Sequence, residues 1–297
     1  MNYQNCKLCP RKCGASRNHG KLGFCGADQS VQIARAAPHQ WEEPCISGTK
    51  GSGTVFFSFC NLGCLFCQNY LVSRGKTGGV ISRERLTEIF LELQNQGAHN
   101  LNLVTPTHYL PDIIPALAMA KEKGCNLPVV YNSGGYESLE TLEILQEIVD
   151  VFLPDLKFAS IATAVELANA PDYFQVATAG IKRMAELIGK CEIDNNGLIQ
   201  RGLIVRHLVL PGKTEESRTI LKWIKDELPE WVIISLMGQY LPMGDAVNHP
   251  QFGRKLTAKE YDAVVDCLYQ LGLENGYVQE LSAASDEFIP KFDLTGV

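Results

Sequence analysis

An α/β fold, a partial (βα)6 TIM-like barrel, is the architecture this sequence predicts, and three observations predict it. From residue 54 onward, runs of strand-forming apolar residues alternate six times with stretches whose apolar residues recur at helical spacing. That alternation marks parallel βαβ units, six of which in roughly 200 residues make an incomplete barrel or strongly curved sheet. Each apolar run also ends in polar or conformationally unusual residues, as expected where chemistry collects at the C-terminal ends of parallel strands. The chain has 297 residues and is 45% hydrophobic, enough for a barrel domain (41–297) beside a small N-terminal metal-binding module (1–40).

The first strand is read at Thr54 to Phe59. Its helix has Ser82 as N-cap and Leu86, Ile89, Phe90 and Leu93 on one face, with Gly97 at its end. The second strand is Leu101 to Thr105, followed by a helix through Ile113, Ile114, Leu117 and Ala118 that stops at Gly124. The third is Pro128 to Tyr131, with Leu142, Leu145 and Ile148 on its helix, and the fourth is Val149 to Leu156. A longer helical stretch carries Ile181, Met184, Ala185 and Ile188, and Asn195-Asn196-Gly197 reads as a tight hairpin turn. The fifth strand is Leu203 to Val209, with Leu221 and Ile224 on a helix that stops before Pro229. The sixth is Trp231 to Leu236, and a last helix begins at Thr257 with Glu260 in capping-box position and ends at Gly272.

The strand ends point at one mouth. They run into a cysteine loop, Thr105-Pro106-Thr107-His108-Tyr109, Asn132-Ser133-Gly134-Gly135-Tyr136, Asp155 with Lys157, Arg206 with His207, and Met237-Gly238-Gln239-Tyr240. A single Thr or Asn there is ordinary turn chemistry; six such ends together indicate a site.

Net charge is −6, and lysines and arginines are scattered, which excludes a nucleic-acid surface. The first residues lack the apolar core of a signal peptide, and no apolar stretch reaches the ~18 residues of a membrane span. Eleven cysteines without a secretion signal indicate reduced thiols and metal ligands in a reducing cytoplasm.

The first apolar run leads into Cys60-Asn61-Leu62-Gly63-Cys64-Leu65-Phe66-Cys67. Thiolates bind soft metals, and closely spaced cysteines in a loop wrap an iron–sulfur cluster. Three cysteines leave one iron of a four-iron cluster without a local protein ligand, and an open position distinguishes a catalytic metal site from a closed one. An ordinary zinc loop or three core cysteines are the alternatives. The Cys-x3-Cys-x-aromatic-Cys pattern resembles the signature of the radical S-adenosylmethionine (SAM) superfamily. Over roughly residues 41–297 the chain is similar to its activase branch, the pyruvate formate-lyase activating enzymes.

The resemblance implies a [4Fe-4S] cluster on Cys60, Cys64 and Cys67, with SAM chelating the open iron. It places the Phe66 backbone near the SAM adenine and matches Cys67-Gln68-Asn69 to the residues closing the cluster loop. The family's usual Gly-Gly-Glu stretch after strand two is absent; Thr105 and Thr107 stand there as acceptors for the SAM ammonium. Asn132, Ser133 and Gly134 resemble the turn after strand three, and Asp155-Leu156-Lys157 the Asp-Leu-Lys stretch of strand four, with Lys157 on the SAM carboxylate and Asp155 on a polar SAM contact. His207 is counted with the cofactor set, Arg206 and His207 are both open between serving the substrate and a salt bridge or SAM contact, and Gln239 stands where some activases carry a histidine. A one-electron reductant such as flavodoxin or ferredoxin, and a substrate protein, are the implied partners; no nucleic acid or membrane is expected.

Cys6, Cys9, Cys13 and Cys25, amid Pro10, Gly14, Gly20, Gly23 and Gly26, form a compact group suited to a second metal, zinc or iron–sulfur. Such a module resembles that of radical SAM homologues of the pyruvate formate-lyase activator. Cys267 reads as core, Cys125 and Cys191 as structural, and Cys45 lies in an irregular stretch before strand one. The leading functional reading is hydrogen abstraction, as an activase making a glycyl radical. The alternatives are radical modification of a small molecule or peptide and, in another class, a non-catalytic iron–sulfur carrier or metal-dependent binding module.

Overall fold

The computed structural model describes residues 2–297. Among these residues ten strands share one sheet system: β1 Gln32–His39, β2 Ser52–Phe57, β3 Gly79–Val80, β4 Leu101–Val104, β5 Val129–Ser133, β6 Val151–Pro154, β7 Glu192–Ile193, β8 Ile199–Leu208, β9 Ile233–Met237 and β10 Gly276–Val278. Among the described residues nine α-helices accompany them: α1 Pro44–Ser47, α2 Tyr70–Ser73, α3 Arg83–Asn95, α4 Leu110–Glu122, α5 Leu139–Leu145, α6 Ile161–Ala168, α7 Tyr173–Ile188, α8 Thr214–Glu227 and α9 Ala258–Gln270. The six expected strands are β2, β4, β5, β6, β8 and β9, adjacent in that order and parallel throughout.

Local chemistry sets the helix limits. The Ser82 hydroxyl accepts from the Arg85 N–H at 3.1 Å, and Thr257 with Glu260 closes a complete capping box. On α3, Leu86, Ile89, Phe90 and Leu93 are buried against the sheet, each contributing ~2 kcal/mol of apolar burial. The hairpin forms between β7 and β8, with Gly197 at φ 79° and the Asp194 carboxylate accepting from the N–H groups of Asn196 and Leu198.

Two strands depart from the sequence reading. Gln32–His39 pairs antiparallel with β2 and, at Gln32 and Ile33, with the two-residue edge strand β3, so the segment expected as a separate module also supplies a strand of the sheet. Its Gln-Ile-Ala-Arg-Ala-Ala-Pro-His run lacks clean alternation, and a register shift lies between Ile33 and Arg35. The three-residue β10 adds a seventh parallel strand beside β9. From there the chain end crosses back to the far edge, where the Ala36 N–H donates to Thr295 O at 2.8 Å and the Leu294 N–H to Ala34 O at 3.2 Å. The tail thus spans the gap that the open barrel leaves.

The strands alternate strictly. Val130, Val151, Leu153, Ile204 and Ile233 face inward and pack with Cys45 and Ile46 of α1, which plugs the lower end of the barrel. Their neighbours Tyr131, Phe152, Val205 and Ile234 face the helices. Cys45 is therefore core. Among the described residues no helix is long and apolar enough to cross a membrane.

Candidate active site

At the upper end of the barrel a cavity of about 180 Å³ gathers residues from six strand ends. Cys60, Cys64, Phe66 and Cys67 line one side; Thr105, Asn132, Ser133, Gly134, Asp155, Lys157 and Gln239 line the rest. The sequence-expected set converges here with two exceptions.

The cysteine loop leaves β2 through Phe59, whose φ is 74°, a left-handed conformation rare for a bulky residue. Gly63, at φ 62°, turns the loop, and Arg74 Nη2 donates to Gly63 O at 2.7 Å. Asn61 Nδ2 donates to Tyr136 O at 2.7 Å, tying the loop to the turn after β5. The Leu62 N–H donates to Cys60 Sγ at 3.4 Å. Burial pushes the Cys64 thiol up to about 12, against the pull of Lys157. Ligation by iron must therefore displace a proton there.

Below the loop lies a charged network. Arg206 Nε donates to Asp155 Oδ1 at 2.8 Å, Nη2 to Asn132 Oδ1 at 2.5 Å and Nη1 to Glu42 Oε2 at 3.1 Å. Lys157 Nζ bonds Asp155 Oδ2. Burial alone would raise the Asp155 carboxyl; Arg206 and Lys157 hold it below the ordinary range. Tyr173 of α7 braces this floor: its hydroxyl lies 2.8 Å from Gly134 O and 2.9 Å from Asp155 O, and accepts from the Lys157 N–H at 2.9 Å. Gly135, at φ 77°, is required by close approach, because a Cβ there would stand 2.1 Å from Asp155 O.

Thr107 and His207 are the exceptions. The Thr107 hydroxyl is buried, donating to Glu137 Oε1 at 2.9 Å, so it offers nothing to the cavity. His207 is also buried and turned outward. Its Nδ1 donates to Leu156 O at 2.7 Å, and its Nε2 accepts from Ser217 Oγ at 2.8 Å. Period-two alternation explains it: Arg206 and Leu208 line the cavity, and His207 between them faces α8. Burial lowers His207 to about 4, which keeps the ring neutral. Counting parity from Ile204 would have separated the two residues.

Glu42, Glu43 and Tyr173 were not singled out from sequence as site residues. The two glutamates sit at the top of the α1 plug and reach the barrel interior from below. Glu42 Oε1 accepts from Asn102 Nδ2 at 3.0 Å and Asn132 Nδ2 at 3.4 Å.

The N-terminal cysteines sit beside this site. Arg11 Nε donates to Asn61 O in the cluster loop at 3.1 Å, and its Nη2 to Ala168 O at 2.9 Å. Arg17, 2% exposed, donates from Nη1 to His108 O at 2.5 Å. Burial pushes Cys9 up to about 12, and the nearby Cys25 and Cys6 thiols add to that shift. Cys13 is exposed, against Gly23.

Among the described residues no three His, Cys, Asp or Glu side chains converge on one point as the ligands of a single ion do. A four-iron cluster does not require that, since each thiolate takes a different iron. The Cys60, Cys64 and Cys67 set fits it: the three share one cavity wall, with a backbone N–H on sulfur and Lys157 opposite.

Comparisons with known proteins agree with this fold. An uncharacterized protein, MJ0674, of Methanocaldococcus jannaschii is 28% identical over 281 residues, covering 92% of this chain and 76% of its own. Streptococcus suis SuiB bound to its precursor peptide SuiA superposes with a TM-score of 0.51 at 15% identity, over 78% of this chain and 49% of that one. The FeFe-hydrogenase maturase HydG of Carboxydothermus hydrogenoformans gives 0.51 at 15% identity, over 78% and 54%. The chain thus spans about half the length of these structural neighbours, which share its fold. Residues 54–224, from the first parallel strand to the fifth unit's helix, match the family model of the radical SAM superfamily, and the chain belongs to that superfamily.

Proposed function

We propose that this protein abstracts a hydrogen atom from a compact substrate held beneath its cofactor site. One observation carries the reading. A second cavity, about 480 Å³, lies in the barrel and shares Asn69, Asn132, Arg206, Met237 and Gln239 with the cysteine-lined one. The family implies a [4Fe-4S] cluster and SAM, which when bound supply a 5′-deoxyadenosyl radical by one-electron cleavage. Cys60, Cys64 and Cys67 would hold the cluster, each losing its thiol proton. Lys157 would take the SAM carboxylate, and Asp155 and Asn132, fixed by Arg206, would orient polar groups. Phe66 and Tyr240, with ring centroids 5.7 Å apart, exclude water from the cluster side.

The tail favours a small molecule or peptide side chain over a folded partner's loop. Ala283, Ser285, Phe288 and Pro290 wall the larger cavity on the side where the barrel is open. On this reading a small molecule or peptide is preferred to the protein substrate of a glycyl-radical activase. Cys6, Cys9, Cys13 and Cys25 would hold a second metal, zinc or iron–sulfur; that they do not converge on one point in the described residues favours iron–sulfur. A flavodoxin- or ferredoxin-type donor would supply the electron. Anaerobic reconstitution with dithionite and SAM tests the reaction: 5′-deoxyadenosine is expected, and its absence from a cluster-loaded sample contradicts the proposal.

A further inference from the structure

We propose that the substrate is seated in the larger cavity by a cationic nitrogen, an alkylammonium or guanidinium, placed on Glu43; this rests on the reading of that cavity as the substrate site. Three carboxylates reach the barrel interior. Asp155 is engaged by Arg206 and Lys157, and Glu42 by Arg206, Asn102 and Asn132. Glu43 is 8% exposed, lines the cavity, and its Oε2 has no partner. Arg206 is near, but its three nitrogens are committed to Asp155, Glu42 and Asn132. Two cations therefore face three carboxylates, and Glu43 carries the surplus.

A buried carboxylate without a partner is costly unless it takes a proton or meets a cation. Burial does push the Glu43 carboxyl above its ordinary range. The rest of the wall favours the cation. Gln279 Oε1 and Asn69 Oδ1, from cavity-lining residues, are likewise buried and unpartnered, and both are acceptors. Unpartnered acceptors on the wall favour a ligand that brings N–H donors, and a carboxylate-bearing ligand would be repelled. Tyr277, Trp41 and Phe288 line the same cavity, and aromatic faces attract a cation held near them. A neutral amide would satisfy the oxygens and leave the charge.

The two sources of such a group, a free amine and a basic peptide side chain, are separated by the probes. Isothermal titration of the reconstituted protein uses agmatine, an acetyl-Gly-Arg-Gly-amide peptide, neutral N-butylurea and glutarate. Saturable binding of agmatine or the peptide is expected, at least tenfold tighter than butylurea, with no binding of glutarate. Agmatine binding alone identifies a free amine, and tighter peptide binding identifies a side chain. Glu43→Gln should weaken binding at least tenfold, and Glu43→Asp should retain more of it. If Glu43→Gln does not fold, Gln279→Leu removes the second acceptor and should also weaken the cationic probes. No binding of either cationic probe, equal binding of butylurea, or unchanged affinity in the folded variant overturns the proposal. SAM cleavage is scored separately on the unsubstituted protein. Cleavage without amine binding sinks this inference and leaves the proposed function; Glu43-dependent binding without cleavage does the reverse.

Discussion

Asp155 and Arg206 are register partners on adjacent parallel strands, the bridge at which β6 and β8 still meet above their main pairing. Their side chains point into the barrel side by side, and Arg206 Nε donates to Asp155 Oδ1 at 2.8 Å. The other carboxylate oxygen engages Lys157. One carboxylate thus joins the cation nearest the cysteine loop to the cation nearest the barrel floor.

Lys157→Ala should weaken SAM binding by roughly ten- to a hundredfold, since a charge-assisted contact in a partly dry site contributes ~1.5–3 kcal/mol. The cluster should still assemble, because Lys157 holds none of its thiols. Equilibrium titration of SAM against the reconstituted variant checks this. Unchanged affinity would mean that Lys157 serves only to neutralise Asp155.

His207 predicts a pH effect on stability and none on SAM affinity. Its folded value is about 4 against an ordinary 6.5. Between those values the unfolded chain binds a proton that the folded chain does not. Stability is therefore fully present above pH 6.5 and falls as pH drops toward 4, by about 3 kcal/mol from this residue. His108 and His39, lowered by burial to about 3 and about 4, act in the same direction. The measurement is denaturant unfolding of the protein and of His207→Gln across this range: the stability gap should narrow as pH falls, and a constant gap would contradict the assignment.

Thr105 sits at φ 57°, a strained conformation for a β-branched residue, at the rim of the cofactor cavity. Thr105→Gly should relieve the strain and raise stability by about 1 kcal/mol. SAM affinity should fall, because the turn loses its fixed shape. A raised unfolding midpoint with unchanged SAM binding would show that the strain serves no site, and a lower midpoint would show that Gly relieves none.

The N-terminal cysteines should keep a metal when the cluster loop has none. In a protein with Cys60, Cys64 and Cys67 all changed to Ala, elemental analysis should still find zinc or iron. Four titratable N-terminal thiols and no metal would remove the second site. If the metal is zinc, loss of one ligand should loosen the segment that Arg11 and Arg17 dock onto the barrel.

The parallel core was legible because each strand and helix carries its own local pattern; Ser82 and the Thr257–Glu260 pair marked helix starts by side-chain chemistry alone. What stayed hidden depends on long-range placement. β1 carries Arg35 and Pro38, and its main partner β2 lies across the α1 plug. Glu42 and Glu43 lie in a stretch with no periodicity, and only the path of the chain under the barrel brings them to Arg206. The strand-end rule located Arg206 and His207 together but did not say which face each takes.

The most direct test of the account is 5′-deoxyadenosine formation from SAM under dithionite, in the unsubstituted protein and in the Cys60, Cys64 and Cys67 triple-alanine variant. The account predicts product from the first and none from the second. Product from the triple-alanine variant at the unsubstituted rate would contradict it.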